Sequence, residues 1–173
     1  SLYDESTRVP MLLSGPDIPK SNTVEALASL VDIYPTVLQA VGAKDDDEGR
    51  PGFALQLLMD SADADRGIVS EYHDGGSPVG MFMLRKGRWK YNCYPGYPPE
   101  LFDMANDPDE LCDLSQDPTY AADLQLCHDA MNGLLNPSEV NDLAFADQAE
   151  LITRLGGVEA IVDSEEFDHT PLQ

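Results

Sequence analysis

The run His73-Asp74-Gly75-Gly76-Ser77 sets an imidazole, a carboxylate and a hydroxyl close together, the side-chain types of a nucleophilic hydrolase. Base, orienting acid and nucleophile are defined by three-dimensional roles, which neighbours in sequence seldom assemble. A local Ser-His-Asp site is therefore not expected. The other histidines, His128 and His169, fall on a predicted helix and in the tail. With no histidine pair at i, i+4, a self-contained zinc site is not expected either. Asp63 and Asp65 belong to an acidic stretch, but Arg66 stands where a calcium loop needs its glycine, and no glutamate closes the loop. That stretch reads as a solvated loop. No glycine loop is followed by Lys-Ser or Lys-Thr, so no phosphate cradle is predicted. Cys93, Cys112 and Cys127 cannot all pair within the chain and form no C-x-x-C. Three unpaired, mostly structural thiols in a reducing compartment are expected. What remains is His73, at a strand end before the flexible Gly75-Gly76, as a pocket wall. Glu71 alternates to the same face and could contact a cationic or hydroxylated group.

These residues need a scaffold, and the hydropathy pattern supplies one. Gly67–His73, Gly80–Arg85, Arg88–Tyr94 and Glu100–Asp103 read as four strands, with Lys86-Gly87 as a tight hairpin turn. Short links between consecutive strands predict an antiparallel meander whose face helices must cover. Residues 119–135 and 138–154 are the predicted covering helices, the second with Ser138 as N-cap and Gly156-Gly157 as its stop. Residues from 157 onward read as one more helical turn and an acidic tail. Upstream, Val24–Val41 has helical spacing, split by Pro35 into a short piece ending near Asp32 and a helix from about Tyr34 to Val41, stopped by Gly42. A short apolar turn follows at Phe53–Met59. Val9-Pro10-Met11-Leu12-Leu13 reads as a buried strand. A strand buried on both faces needs layers that the first thirty residues do not provide. The pattern is that of a chain entering in the middle of a fold.

Charge sets further limits. Among 173 residues, 32 Asp and Glu against 10 Lys and Arg give a formal net charge of -22. Nucleic-acid binding is disfavoured, because it requires clustered Lys and Arg to displace counterions. The acid is spread over several segments and reads as solvated surface, with a salt-adapted source as one cause. Self-repulsion then predicts stability that rises with ionic strength. No apolar run approaches the length of a bilayer span, and no secretory leader is recognisable, so no membrane partner is expected.

Five phrases, in order, resemble the sulfatase family. They are Leu2-Tyr3-Asp4-Glu5-Ser6-Thr7-Arg8-Val9-Pro10-Met11; Val31-Asp32-Ile33-Tyr34-Pro35-Thr36; Ser70-Glu71-Tyr72-His73; Met83-Leu84-Arg85-Lys86-Gly87-Arg88-Trp89-Lys90-Tyr91; and Pro98-Pro99-Glu100-Leu101-Phe102-Asp103 with Asp107-Pro108-Asp109-Glu110. Gly156-Gly157-Val158-Glu159-Ala160 and His169-Thr170-Pro171 resemble the end of its arylsulfatase and choline-sulfatase-like branch. Most of these phrases also have plain structural readings as strand, helix start and hairpin.

The resemblance implies an α/β parent of the alkaline-phosphatase-like superfamily, of which this chain is the C-terminal portion: residues 1–60 ending the large domain, and residues 61–173 forming an α+β subdomain with a four-stranded antiparallel sheet packed by helices. It implies hydrolysis of a sulfate monoester with a formylglycine nucleophile beside calcium. Both belong to motifs expected upstream of Ser1, in the missing N-terminal catalytic domain. Cys93-Tyr94-Pro95-Gly96-Tyr97 has the Cys-x-Pro skeleton of the nucleophile motif but Tyr97 where that motif needs Arg. This chain alone is therefore expected to be inactive, with no catalytic residue or metal ligand of its own. His73 and Glu71 remain as substrate-binding candidates in the parent. Its partner would be a small-molecule sulfate ester; an oligomer is possible, and a cytoplasmic setting is preferred. Two alternatives stand beside this reading: a phosphonate or phosphodiester hydrolase of the same superfamily, and a stand-alone, non-catalytic acidic binding module.

Overall fold

A computed structural model describes residues 1–44, 49–60, 66–73 and 76–162. The acidic loop residues 45–48, Asp63 and Asp65, Asp74-Gly75 and the tail with His169 lie outside them. The four expected strands form: β1 (Gly67–Tyr72), β2 (Met81–Lys86), β3 (Trp89–Cys93) and β4 (Glu100–Asp103). They make one antiparallel sheet in the order β1-β2-β3-β4. Lys86 pairs with Trp89, so the hairpin loop is Gly87-Arg88, one residue later than expected. Gly87 has φ 53°, the left-handed geometry that a two-residue hairpin asks of its first loop position.

Alternation along the strands gives the sheet two different faces. Phe82, Leu84, Tyr91 and Leu101 share one face and pack with Cys127 and Met131 of α4 (Ala121–Leu134) into the buried core. Burying a side chain of this size contributes about 1.5–3 kcal/mol, so this layer is the main apolar support of the unit. Helix α5 (Pro137–Arg154) covers less of the sheet than expected. Only its first turns pack inward, through Pro137, Val140 and Asn141, while Leu143, Phe145, Leu151 and Leu155 stay exposed. Its N-cap is Asn136 and not Ser138: the Asn136 side chain accepts from the Ser138 and Glu139 amides, and Pro137 takes the first helical position. Proline has no N–H to satisfy there, which is why the cap sits one residue before it. Gly156 and Gly157, both at positive φ, end this helix before α6 (Val158–Val162).

The opposite face is covered by the N-terminal segment. Leu2 is buried, Tyr3 stacks obliquely on Phe102 at 5.8 Å, and the short helix α1 (Asp4–Thr7) brings Asp4 onto β3. Lys90, fully buried, sits 2.9 Å from Asp4 Oδ1 and 2.5 Å from Glu110 Oε1. Glu110 Oε2 accepts the Asp4 amide at 2.7 Å. Beside this trio, Glu100 accepts the hydroxyls of Tyr3 at 3.0 Å and Tyr94 at 2.7 Å, and the Asn92 amide at 3.1 Å. Burial and the neighbouring Glu100 push the Tyr3 hydroxyl up to about 12.

Between these parts lies a helical unit. A 3-10 turn at Leu30–Asp32 leads into α2 (Ile33–Val41), which ends at Gly42 in the left-handed region, and α3 (Leu55–Asp60) packs against it. The change of geometry near Asp32 and the stop at Gly42 are as expected, but residues 24–29 are not helical, and the expected apolar turn after residue 53 is. Asp32, fully buried, accepts the Ser29 amide at 2.7 Å, the Phe53 amide at 2.9 Å and the Arg66 guanidinium at 2.7 Å. Gly52 (φ 107°) passes so close that a Cβ would lie 2.6 Å from the Val31 carbonyl oxygen.

The strand expected at Val9–Leu13 does not form. The segment has no ladder partner among the described residues, and Leu12 is 96% exposed. A strand is stabilised by pairing, and an apolar run without a neighbouring strand stays irregular.

Candidate functional site

His73 follows the last residue of β1, and alternation turns both it and Glu71 toward the helix-bearing face. The structure brings this expected pair together: His73 Nε2 and Glu71 Oε2 are 3.7 Å apart, too far for a hydrogen bond. The imidazole, 24% exposed, meets the Phe82 ring edge-on at 5.3 Å. Its other neighbour is Gly80. A Cβ built there would fall 2.7 Å from His73 Cε1 and 2.9 Å from Nδ1, so the ring lies directly over the bare glycine backbone. The same Cβ would fall 2.9 Å from Phe82 Cε2, so a side chain at this position would have to displace one ring or the other.

Gly80 also fixes the facing wall. Its amide donates to Asn141 Oδ1 of α5 at 2.8 Å. Asn141, Ala144, Phe145 and Gln148 recur at helical spacing and therefore line one side of α5. Together with His73, Ser77, Val79 and Gly80 they enclose a cleft of about 250 Å³. Sequence reasoning missed Asn141, Phe145 and Gln148. Their periodicity was legible as one helix face, but nothing in it says that this face meets the end of β1.

The Ser77 hydroxyl donates to the Val79 carbonyl at 2.6 Å, so its proton is committed to backbone. His128 stands elsewhere, on α4, within 3.1 Å of the Tyr91 hydroxyl. Among the described residues no group of three or more His, Cys, Asp or Glu could hold a metal ion. No helix among them is long and apolar enough to cross a membrane. Cys93, Cys112 and Cys127 carry free thiols. Burial pushes the Cys93 thiol up, and that of Cys127 up to about 11. The thiolate is the reactive form, so neither is poised as a nucleophile. Among the described residues, none of these groups fits a formylglycine precursor or a calcium site.

The chain matches, over residues 1–136, the family described as N-sulphoglucosamine sulphohydrolase, C-terminal. It belongs to this sulfatase C-terminal family. Arylsulfatase K of Mus musculus is 36% identical over 121 residues, which cover 63% of this chain and 22% of the mouse protein. The chain thus spans about a fifth of the length of that relative. Among solved structures, a 2-O GAG sulfatase superposes with a TM-score of 0.53 at 28% identity, covering 60% of this chain and 24% of the other. The phosphonate monoester hydrolase of Agrobacterium radiobacter gives 0.52 at 24% identity over 64% and 25% of the two chains, a likeness of fold alone. The fold is that of the sulfatase, alkaline-phosphatase-like class, represented here by its antiparallel sheet and helices. Helix α5, which supplies Asn141, Phe145 and Gln148, lies beyond the residues matched to the sulfatase family.

Proposed function

We propose that this chain is the C-terminal part of a sulfuric ester hydrolase that cleaves a sulfate monoester, and that it is inactive alone. The family match across residues 1–136 carries this reading. Cleaving a sulfate ester requires an activated oxygen nucleophile and positive charge against the developing sulfate charge. The His73 cleft has no Lys or Arg in its lining. Calcium and the formylglycine are therefore assigned to the large domain of the parent enzyme, with His73 and Glu71 at the substrate wall. Exposed apolar side chains in the first sixty residues, Val9, Leu12, Val37, Val41, Phe53 and Leu57, support a contact surface for that domain.

The test is to assay sulfate release from an aryl sulfate by this chain alone, and by the protein translated through the adjoining upstream reading frame with matured nucleophile and calcium. Turnover by the longer protein only is the expected result. Turnover by this chain alone would contradict the assignment of the chemistry, and a longer product that cleaves phosphonate monoesters but no sulfate ester would replace the substrate class.

A further inference from the structure

Helix α5 is seated on the sheet by its first turns alone, yet the stripe that seats it does not stop there. Val140 and Ala144 lie on its inward side, and steps of three and four residues carry the same stripe on through Gln148, Leu151 and Leu155. Ile152 widens it. None of this continuation is covered: every residue from Phe145 to Gly156 is exposed, Leu151 at 43% and Leu155 at 54%. About three helical turns with an apolar stripe and no packing partner are marginal in water.

The charges beside the stripe distinguish what can cover it. Asp147, Glu150 and Arg154 run along one flank, at the spacing of successive turns. Arg154 is the sole cation of α5 and makes no ion pair among the described residues. Two copies of this helix laid antiparallel are related by a two-fold axis normal to the pair, which sets each flank against its own copy. Arg154 of each copy then lies beside Asp147 and Glu150 of the other, so the ion pairs form twice. A parallel pair would instead set that flank against Ala149 and Thr153, on the far side of the stripe, and leave Arg154 without a carboxylate. Residues 143–155 hold two acids and one base, a local charge of -1 in a chain of -22, so two copies meet here with little of their overall repulsion.

We propose that the outer half of α5 pairs antiparallel with the same helix of a second copy of this chain. Leu151, Ile152 and Leu155 form the apolar centre, and Arg154 with Asp147 and Glu150 forms the rim. The contact is isologous and closes at a dimer. It lies beyond the residues matched to the sulfatase family and does not rest on the function proposed above.

The experiment is sedimentation of the full chain from about 10 μM to about 1 mM at about 0.15 M salt, where a Debye length of about 8 Å leaves contact ion pairs in force. A reversible monomer–dimer equilibrium is expected. Leu151→Glu, at an exposed position, should weaken it about a hundredfold with an unchanged circular dichroism spectrum, because the two-fold repeats the loss in both copies. Arg154→Glu makes the flank wholly acidic, and Asp147→Arg with Glu150→Arg makes it wholly basic. Mixed in equal amounts, these two variants should bind each other about tenfold more tightly than either binds itself. A chain that stays monomeric throughout, a dimer indifferent to Leu151→Glu but lost with Val37→Glu on α2, or charge variants without preference for each other would each overturn the inference. Loss of the dimer in the longer protein would overturn it too, by giving this face to the large domain.

Discussion

Gly80 does two things at once: its amide holds Asn141, and its missing Cβ leaves room for the His73 ring. Gly80→Ala should destabilise the chain by about 1–3 kcal/mol through overpacking. It should also move the His73 ring away from Phe82, visible as a change in the imidazole chemical shifts. An unchanged imidazole environment would show that the glycine is there for another reason. Lys90 is a different kind of single-residue commitment, a cation fully buried between Asp4 and Glu110. Lys90→Met leaves two carboxylates facing each other without a counter-charge and should cost about 3–5 kcal/mol. Pairing it with Glu110→Gln, which keeps an acceptor for the Asp4 amide, should recover much of that loss in thermal melts. If the double variant is as unstable as the single one, the ion pair is not the reason for the loss.

The β2–β3 hairpin and β4 are locked at one corner by Arg88, whose guanidinium pairs with Asp103 through both of its oxygens. Arg88, with help from Asn106 and the Ala105 amide, holds the Asp103 carboxyl below its ordinary value, against the opposing effect of burial. A carboxyl whose folded pKa lies below its unfolded value binds a proton more weakly when folded. Its stabilisation is complete above the unfolded value of 3.8 and is lost as pH falls through the lowered folded value. The difference in melting temperature between the parent chain and Asp103→Asn should therefore be constant near neutral pH and shrink only below pH ~4. A difference that is flat down to the acid transition would mean the pair contributes nothing pH-dependent. The Arg88 side chain is half exposed, so solvent screening keeps its energetic contribution small. The α2 unit is held more firmly by polar contacts. Arg66 ties Asp32 and the Leu27 carbonyl to the start of β1, and the Thr36 hydroxyl links the Asp32 carbonyl to the Leu55 amide.

A formal charge of -22 on 173 residues dominates the behaviour of the molecule as a body. Like charges at the surface repel over a Debye length of about 10 Å at 0.1 M salt, and the repulsion opposes the compact state. Thermal stability should therefore rise as salt is raised from low to molar concentration. A melting temperature that falls or stays level across that range would show that the acid is locally compensated and would remove the salt-adapted reading. The exposed apolar side chains of α2, α3 and residues 9–13 are the surface that the proposed function assigns to a contact with a large domain.

The sequence by itself determined the four strands, the two longer helices, the start and stop of α2 and the family, because period-two and helical spacing and short turn signals are local and survive without knowledge of partners. It also determined that His73 and Glu71 share a side, since alternation along one strand needs no tertiary information. Only the tertiary structure decided what each phrase is for. Tyr3, Asp4, Lys90, Glu100 and Glu110 come from three separate phrases, yet they meet in one buried polar layer across the sheet. Asp32 and Thr36 turn out to be internal ties within the α2 unit. Val9–Leu13 failed as a strand because hydropathy predicts burial but cannot supply a pairing partner. The opposite wall of the His73 cleft was hidden for a similar reason. Asn141 reaches Gly80 across 61 residues of chain, a contact fixed by how α5 leaves α4 at the Asn136 cap.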